Sequence, residues 1–249
     1  MLIELLNQVN SQIQKLDINE NEPIMLAQID HVRPDFRQYL YQNAPNKKVA
    51  DLAANAIARG ILIQIKAIPD LVKTMVSQLE SQSSSPALRC SIAGVLVYLV
   101  QPRDLIPDNA PGGYGFVDDN AIVRAGFIEY MNFISSAKDK IKAEKERIQF
   151  VARIVPKEII QPLQLAINSM AMTLQLMSML DIFTLDLTLQ QMINNPLQLP
   201  TIQRPNNFNP SPGSDLGLGH WSNGAYFEGN NVIMPGGASL IDGELFIPD

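Results

Sequence analysis

Apolar residues recur at helical spacing along most of the chain. Over residues 2–16, Leu2, Leu5, Leu6, Val9, Ile13 and Leu16 fall on one stripe with Asn, Gln and Ser opposite. That pattern predicts an amphipathic helix, docked on its own core or on another chain. The polar run 17–23 predicts a break, and Pro34 predicts the start of a short helix carrying Phe36, Tyr39 and Leu40. Residues 43–46 read as a turn. From Lys47 to about Ala67, Val49, Leu52, Ala53, Ala56, Ile57, Gly60 and Ile61 make a stripe of small residues suited to close helix–helix approach. A further helical segment, 70–79, follows Pro69, and 81–85 is a short polar linker. Ser85 and Pro86 then supply an N-cap and a first-turn proline for an almost continuously apolar helix over 88–100.

Beyond residue 120 the helical period returns. Val123, Phe127, Met131 and Ile134 form one stripe, and 138–147 is a solvated face with opposite charges three or four apart. Helix is expected to run to Val155 and stop at Pro156. Residues 158–195 form an unusual helical region. No charge occurs between Ile159 and Leu180, yet Gln161, Gln164, Asn168, Ser169, Thr173, Gln175 and Ser178 intervene, too many polar groups for a span facing lipid. Met170, Met172, Met177 and Met179 suit either the domain core or the surface of another chain.

The character changes at Pro196. Residues 196–212 are rich in Asn and Pro and read as an extended linker. Residues 213–249 are rich in Gly and Asn, with short β-like runs at 225–227, 232–234, 239–241 and 245–247 and the hairpin-type pair Asp242-Gly243 between the last two. So few large apolar groups cannot form an independent core, so this tail is expected to order against a partner. His220 and Trp221, with Tyr226, Phe227 and Phe246, are the candidate partner-binding residues.

The predicted fold class is therefore mainly α: a multi-helix domain with a helix–corner–helix hairpin, then an extended tail with short β-like segments. The expected divisions are N-terminal helices at 1–79, the hairpin at 80–136, charged then Met-rich helices at 137–195 packing on the same domain, a linker at 196–212 and a partner-docking tail at 213–249.

The corner at residues 98–119 holds Pro102, Pro107 and Pro111, which bias their predecessors away from the helical region, so no helix runs through. It also holds Asp104, Asp108, Asp118 and Asp119. Asp104 and Asp108 follow prolines as turn residues do, while Asp118 and Asp119 stand where the second helix should begin and would meet its free N–H groups and dipole. Capping and turn chemistry thus accounts for all four. Two other readings stay open. Convergent carboxylates could hold a hard cation such as Mg2+ or Ca2+, or they could pair with Arg103 or Arg124.

Tyr98-Leu99-x-x-Pro102-x-Asp104-Leu105-Ile106-Pro107-Asp108-x-x-Pro111, followed by a Gly and Asp118-Asp119, resembles the signature of the DUF1232 (YkvA-like) proteins, covering roughly residues 80–136. The resemblance implies a small, mostly bacterial helical domain without an established activity, in some members membrane-associated. Gly112, Gly113 and Tyr114 precede Gly115, one residue more than the family spacing, which predicts a looser loop.

Composition narrows the function classes. At 249 residues the chain can bury a sizeable core, and its net charge of −6 argues against nucleic-acid binding. Residues 200–249 hold Asp215, Glu228, Asp242, Glu244 and Asp249 against Arg204, a net −4 that favours a basic patch on a partner. Cys90 is the single cysteine, set in an apolar helix, and reads as a small core residue in a reducing compartment. His31 has no second ligand spaced for zinc and reads as structural. The N-terminus lacks a secretory pattern, which predicts a cytoplasmic protein. No nucleophile–base pair or phosphate-binding loop occurs. The first expectation is a non-enzymatic structural or adaptor protein that binds a protein partner or its own copies. The alternatives are a metal-dependent hydrolase built on the four aspartates, and a peripheral membrane protein whose corner dips into lipid through Leu105, Ile106, Tyr114 and Phe116.

Overall fold

The computed structural model describes residues 1–102, 104–134, 138–199 and four short strands in the tail. It is mainly α. The helices are α1 (Leu2–Lys15), α2 (Ile18–Val32), α3 (Pro34–Asn43), α4 (Lys47–Lys66), α5 (Ile68–Glu80), α6 (Pro86–Leu99), α7 (Val117–Ile134), α8 (Lys138–Ile154), α9 (Lys157–Met177) and α10 (Ile182–Asn194).

Local chemistry explains most of these boundaries. Ser85 Oγ accepts the Leu88 N–H at 3.2 Å and Asn46 Oδ1 accepts that of Val49 at 3.0 Å, so α6 and α4 begin on side-chain caps. Pro34 and Pro86 open α3 and α6, where a missing N–H costs nothing. The expected break at 17–23 is instead the start of α2. Asp17 caps it by accepting from Asn19 and Glu20, and Pro23 forfeits a single bond near the helix start. The region 158–195 is two helices, because Asp181 caps α10 by accepting the Thr184 N–H at 2.9 Å.

The hairpin α6–α7 lies at the centre. α6 packs on α5, α7, α9 and α10, and α7 packs on α5, α8 and α9. Both helices are therefore buried almost all round, which is why neither needs a polar face. Cys90 is fully buried, donates its thiol to the Leu185 carbonyl at 3.2 Å, and is held above its ordinary pKa by burial. α1 buries Leu2, Leu6, Val9 and Ile13 against α5, α6 and α10, so its stripe meets its own core. α2 and α3 pack on α4. His31 is in the last turn of α2 and exposed.

In the tail, β1 (Tyr226–Glu228), β2 (Asn231–Ile233), β3 (Ser239–Ile241) and β4 (Glu244–Phe246) pair antiparallel in sequence order. Phe227 opposes Val232, Leu240 opposes Val232 and Leu245, and Ser239 opposes Phe246. Tyr226, Phe227 and Phe246 thus sit on strands, whereas His220 and Trp221 lie outside the described residues.

Candidate functional site: a buried carboxylate cluster and an exposed apolar face

The corner between α6 and α7 is tightly built. Residues Pro111–Phe116 form a 3-10 stretch interrupted at Gly112 and Gly113, whose φ of 68° and 79° only glycine adopts without strain. The chain then passes so close to Asp108 that a Cβ on Gly115 would lie 2.6 Å from the Asp108 carbonyl group. The extra residue does not loosen the loop as the spacing predicted. Gly112 and Gly113 make a left-handed turn, and Gly115 packs directly on the Asp108 backbone. Tyr114 fastens the outside by donating its hydroxyl to the Ile154 carbonyl at 2.8 Å.

Three of the four aspartates converge. Asp104, Asp108 and Asp119 each offer a carboxylate oxygen, and these atoms lie within 4.8 Å of one another. Asp104 and Asp119 are 6% and 0% exposed, and among the described residues neither oxygen of either carboxylate has a hydrogen-bond partner. Asp108 is partly exposed, with one oxygen buried and unpartnered. Asp118 is oriented differently. Its Oδ2 accepts the Tyr98 hydroxyl at 2.9 Å and the Ile106 N–H at 3.1 Å. The aspartates of the second helix therefore reach into the corner rather than cap α7: Asp118 takes its donors from outside the helix, and Asp119 takes none.

Arg124 is not the counter-charge. It is buried one turn further along α7, donates to Asn120 Oδ1 at 2.8 Å and the Gln64 carbonyl at 3.0 Å, and pairs with Glu144. Arg103 lies outside the described residues. Like charges so placed are costly: at an effective dielectric near 20, each pair of carboxylates about 5 Å apart repels by on the order of 3 kcal/mol. Burial adds to this and is the first cause of every shift in the cluster. It pushes Asp108 up to about 6, Asp118 up to about 7 and Asp104 up to about 9, and Asp119 well above the ordinary carboxylate value. Neighbouring carboxylates raise Asp104 and Asp119 further, while the Tyr98 hydroxyl and the Ile106 N–H pull Asp118 partly back. Burial and these carboxylates hold the Tyr98 phenol neutral. Tyr98 is the site residue that sequence reasoning left out. Its signal was a single hydroxyl-bearing aromatic near the end of an otherwise apolar stretch of helix, at the start of the motif that holds the aspartates.

A second feature lies on the opposite end of the hairpin's packing partners. Eight of the twelve exposed large apolar side chains among the described residues fall between Leu165 and Leu197. At the turn from α9 to α10, Met179, Ile182 and Phe183 are 83%, 69% and 73% exposed. α10 buries Leu185 and Leu189, one turn apart, and presents Leu187 outward. The polar groups of α9 make little demand on water. Ser169, Thr173 and Ser178 donate their hydroxyls to carbonyls four residues back, and Gln164 donates to Asn168. By contrast, Leu105, Ile106, Tyr114 and Phe116, the residues expected to meet lipid at the corner, are all buried.

Residues 88–124 match the model of the family described as "Protein of unknown function (DUF1232)". The match covers a segment of the chain only, from the first turn of α6 to Arg124, and that segment includes Tyr98 and all four aspartates. No curated protein and no solved structure matches the chain.

Proposed function

We propose, taking the DUF1232 segment at residues 88–124 as the premise, that this protein is a non-enzymatic docking module. Its hairpin α6–α7 is the rigid centre, and the face of α9 and α10 receives an apolar surface of a protein partner or of a second copy. The supporting observation is the concentration of Met179, Ile182, Phe183 and Leu187 on one elbow, around Asp181 and Asp186, of an otherwise well-packed helical body. Contiguous exposed apolar groups of this kind mark interaction sites. A helix ridge of self-satisfied hydroxyls can approach another helix without leaving polar groups unpaired. The tail 213–249 is the second contact in this reading, with His220 and Trp221 as its anchors and a basic partner surface as its target.

Native mass spectrometry of the full chain, a version ending at Arg204, and Phe183→Asp in the full chain tests this. An assembly that survives truncation but dissociates in Phe183→Asp supports docking through the helices. One lost only on truncation moves the contact to the tail. A full chain that is monomeric and floats with liposomes replaces the protein partner with a lipid surface.

Hydrolase chemistry on the aspartates fits less well. An in-line phosphoryl displacement needs a metal face open to substrate, and Asp118 and Asp119 are fully buried. A groove of about 470 Å3 lies instead between α1 and α5, lined by Asn7, Asn10, Gln14, Asp70 and Lys73 among others, and by none of the four aspartates.

A further inference from the structure

We propose that a divalent hard cation, Ca2+ or Mg2+, sits between Asp104, Asp108 and Asp119 and clamps the end of α6 to the start of α7. The proposal does not depend on the docking reading. Three carboxylate oxygens, two from the corner loop and one from the first turn of α7, already stand within 4.8 Å of one another. That span accommodates oxygen ligands about 2.4 Å from a central Ca2+, and a slight contraction brings it to the octahedral Mg2+ geometry near 2.1 Å.

A cluster of acids alone would carry little. The independent observation is that Asp104 and Asp119 are more than nine-tenths buried and that, among the described residues, none of their four oxygens has a hydrogen-bond partner. Buried polar groups are overwhelmingly partnered, and an orphaned set points to a ligand that completes it. Elsewhere the same interior satisfies its charges carefully: Arg124 pairs with Glu144, and Arg33 pairs with Asp35 and donates to the Val155 carbonyl. Among the described residues no Lys or Arg forms an ion pair with the cluster.

The surrounding parts fit an ion as well. Asp118 is held by the Tyr98 hydroxyl and the Ile106 N–H, so it can orient the corner backbone and add negative charge without being a direct ligand. Gly115 keeps Asp108 close, since a Cβ there would collide with the Asp108 backbone. Asp108 is the one ligand that is partly exposed, which leaves an entry side where water can complete the coordination shell. The acid types also select the ion: with no His or Cys in the set, oxygen-loving cations are favoured over zinc.

The test is full-length protein stripped with a chelator, then returned to Ca2+, Mg2+ or Na+ alone at equal ionic strength and neutral pH. Thermal melting and native mass spectrometry are read together. One ion per chain and a melting temperature raised by on the order of 5–10 °C, at a hundredfold excess over the dissociation constant, are expected for at least one of the two divalent ions. Asp119→Asn should abolish both the bound ion and the shift, while its ion-free form melts no lower than ion-free wild type because a repulsion has been relieved. Asp108→Asn, at the exposed edge, gives the same loss of shift if the Asp119 variant fails to fold. A wild type that binds neither ion and melts identically with and without them overturns the proposal. So does a shift that persists in both variants, which would place the ion elsewhere.

Discussion

The corner between α6 and α7 and the elbow between α9 and α10 are opposite cases of an unmet demand. At the corner, polar groups are buried without partners: among the described residues the oxygens of Asp104 and Asp119 accept no hydrogen bond. At the elbow, apolar groups are exposed without cover: Met179, Ile182 and Phe183 face water. A folded chain settles most such demands by itself, as α6 does through its Ser85 cap and its apolar neighbours. The two that remain carry the two proposals made above, a small cation within the matched segment 88–124 and a large apolar surface outside it. They also differ in tolerance. The corner is geometrically tight, so small changes there should be felt throughout the fold, whereas the elbow can change without disturbing the core.

The largest effect should come from Gly115→Ala. Its Cβ would fall 2.6 Å from the Asp108 carbonyl group, backbone that cannot swing aside. A loss of about 3 kcal/mol in urea unfolding is expected, at the upper end of overpacking costs. A loss below about 0.5 kcal/mol would show that the corner is not tight and would erase the contrast.

Next is Tyr98→Phe, which removes the hydroxyl donor to Asp118. A hydrogen bond to a charged group contributes about 1.5–3 kcal/mol, and the same destabilisation is expected here with the fold retained by circular dichroism.

The third prediction concerns pH. The cluster's carboxyls have folded pKa values raised from 3.8 to about 6 for Asp108, about 7 for Asp118 and about 9 for Asp104. A raised folded value means that the folded state binds the extra protons, so this contribution is fully present below the unfolded pKa and is lost as pH rises through the folded values. Ion-free protein should therefore lose stability steadily between about pH 5 and pH 9. Saturating cation should flatten that slope, because deprotonated carboxylates are the ligands. Denaturation midpoints across this range, with and without the ion, measure it.

The smallest effect on stability belongs to the elbow. Phe183→Asp should change monomer stability by less than about 0.5 kcal/mol, as exposed substitutions usually do, while weakening self-association or partner binding by about tenfold or more. A strongly destabilised Phe183→Asp would mean that the elbow belongs to the core.

Much of the helical frame was legible in the sequence because caps and prolines act locally. Ser85-Pro86 marked the start of α6, Pro34 that of α3 and Pro156 the end of α8. The same logic misread residues 17–23, where a polar run with a proline looked like a break but Asp17 and Asn19 were the opening of a helix. The division of α9 from α10 was missed because its cap, Asp181, stands in a uniformly apolar setting that gives no change of period. At the site, all four aspartates were identified but their roles were not separable. Capping, ion pairing and ion binding use the same residue type at the same spacing.

The sequence alone determined the mainly α class, the position of the corner and the DUF1232 segment. The first two depend on period, proline and glycine, whose effects act over a few residues, and the third on the resemblance of one motif to a family. Only the tertiary structure decided which aspartates face one another, that Arg124 is committed to Glu144, that the corner's apolar residues are buried and that those of the elbow are not. Each of those facts depends on contacts between residues far apart in the chain, in a dense interior where one neighbour's position excludes another's. That is why three carboxylates scattered over sixteen positions of sequence become a single site only when the chain has closed around them.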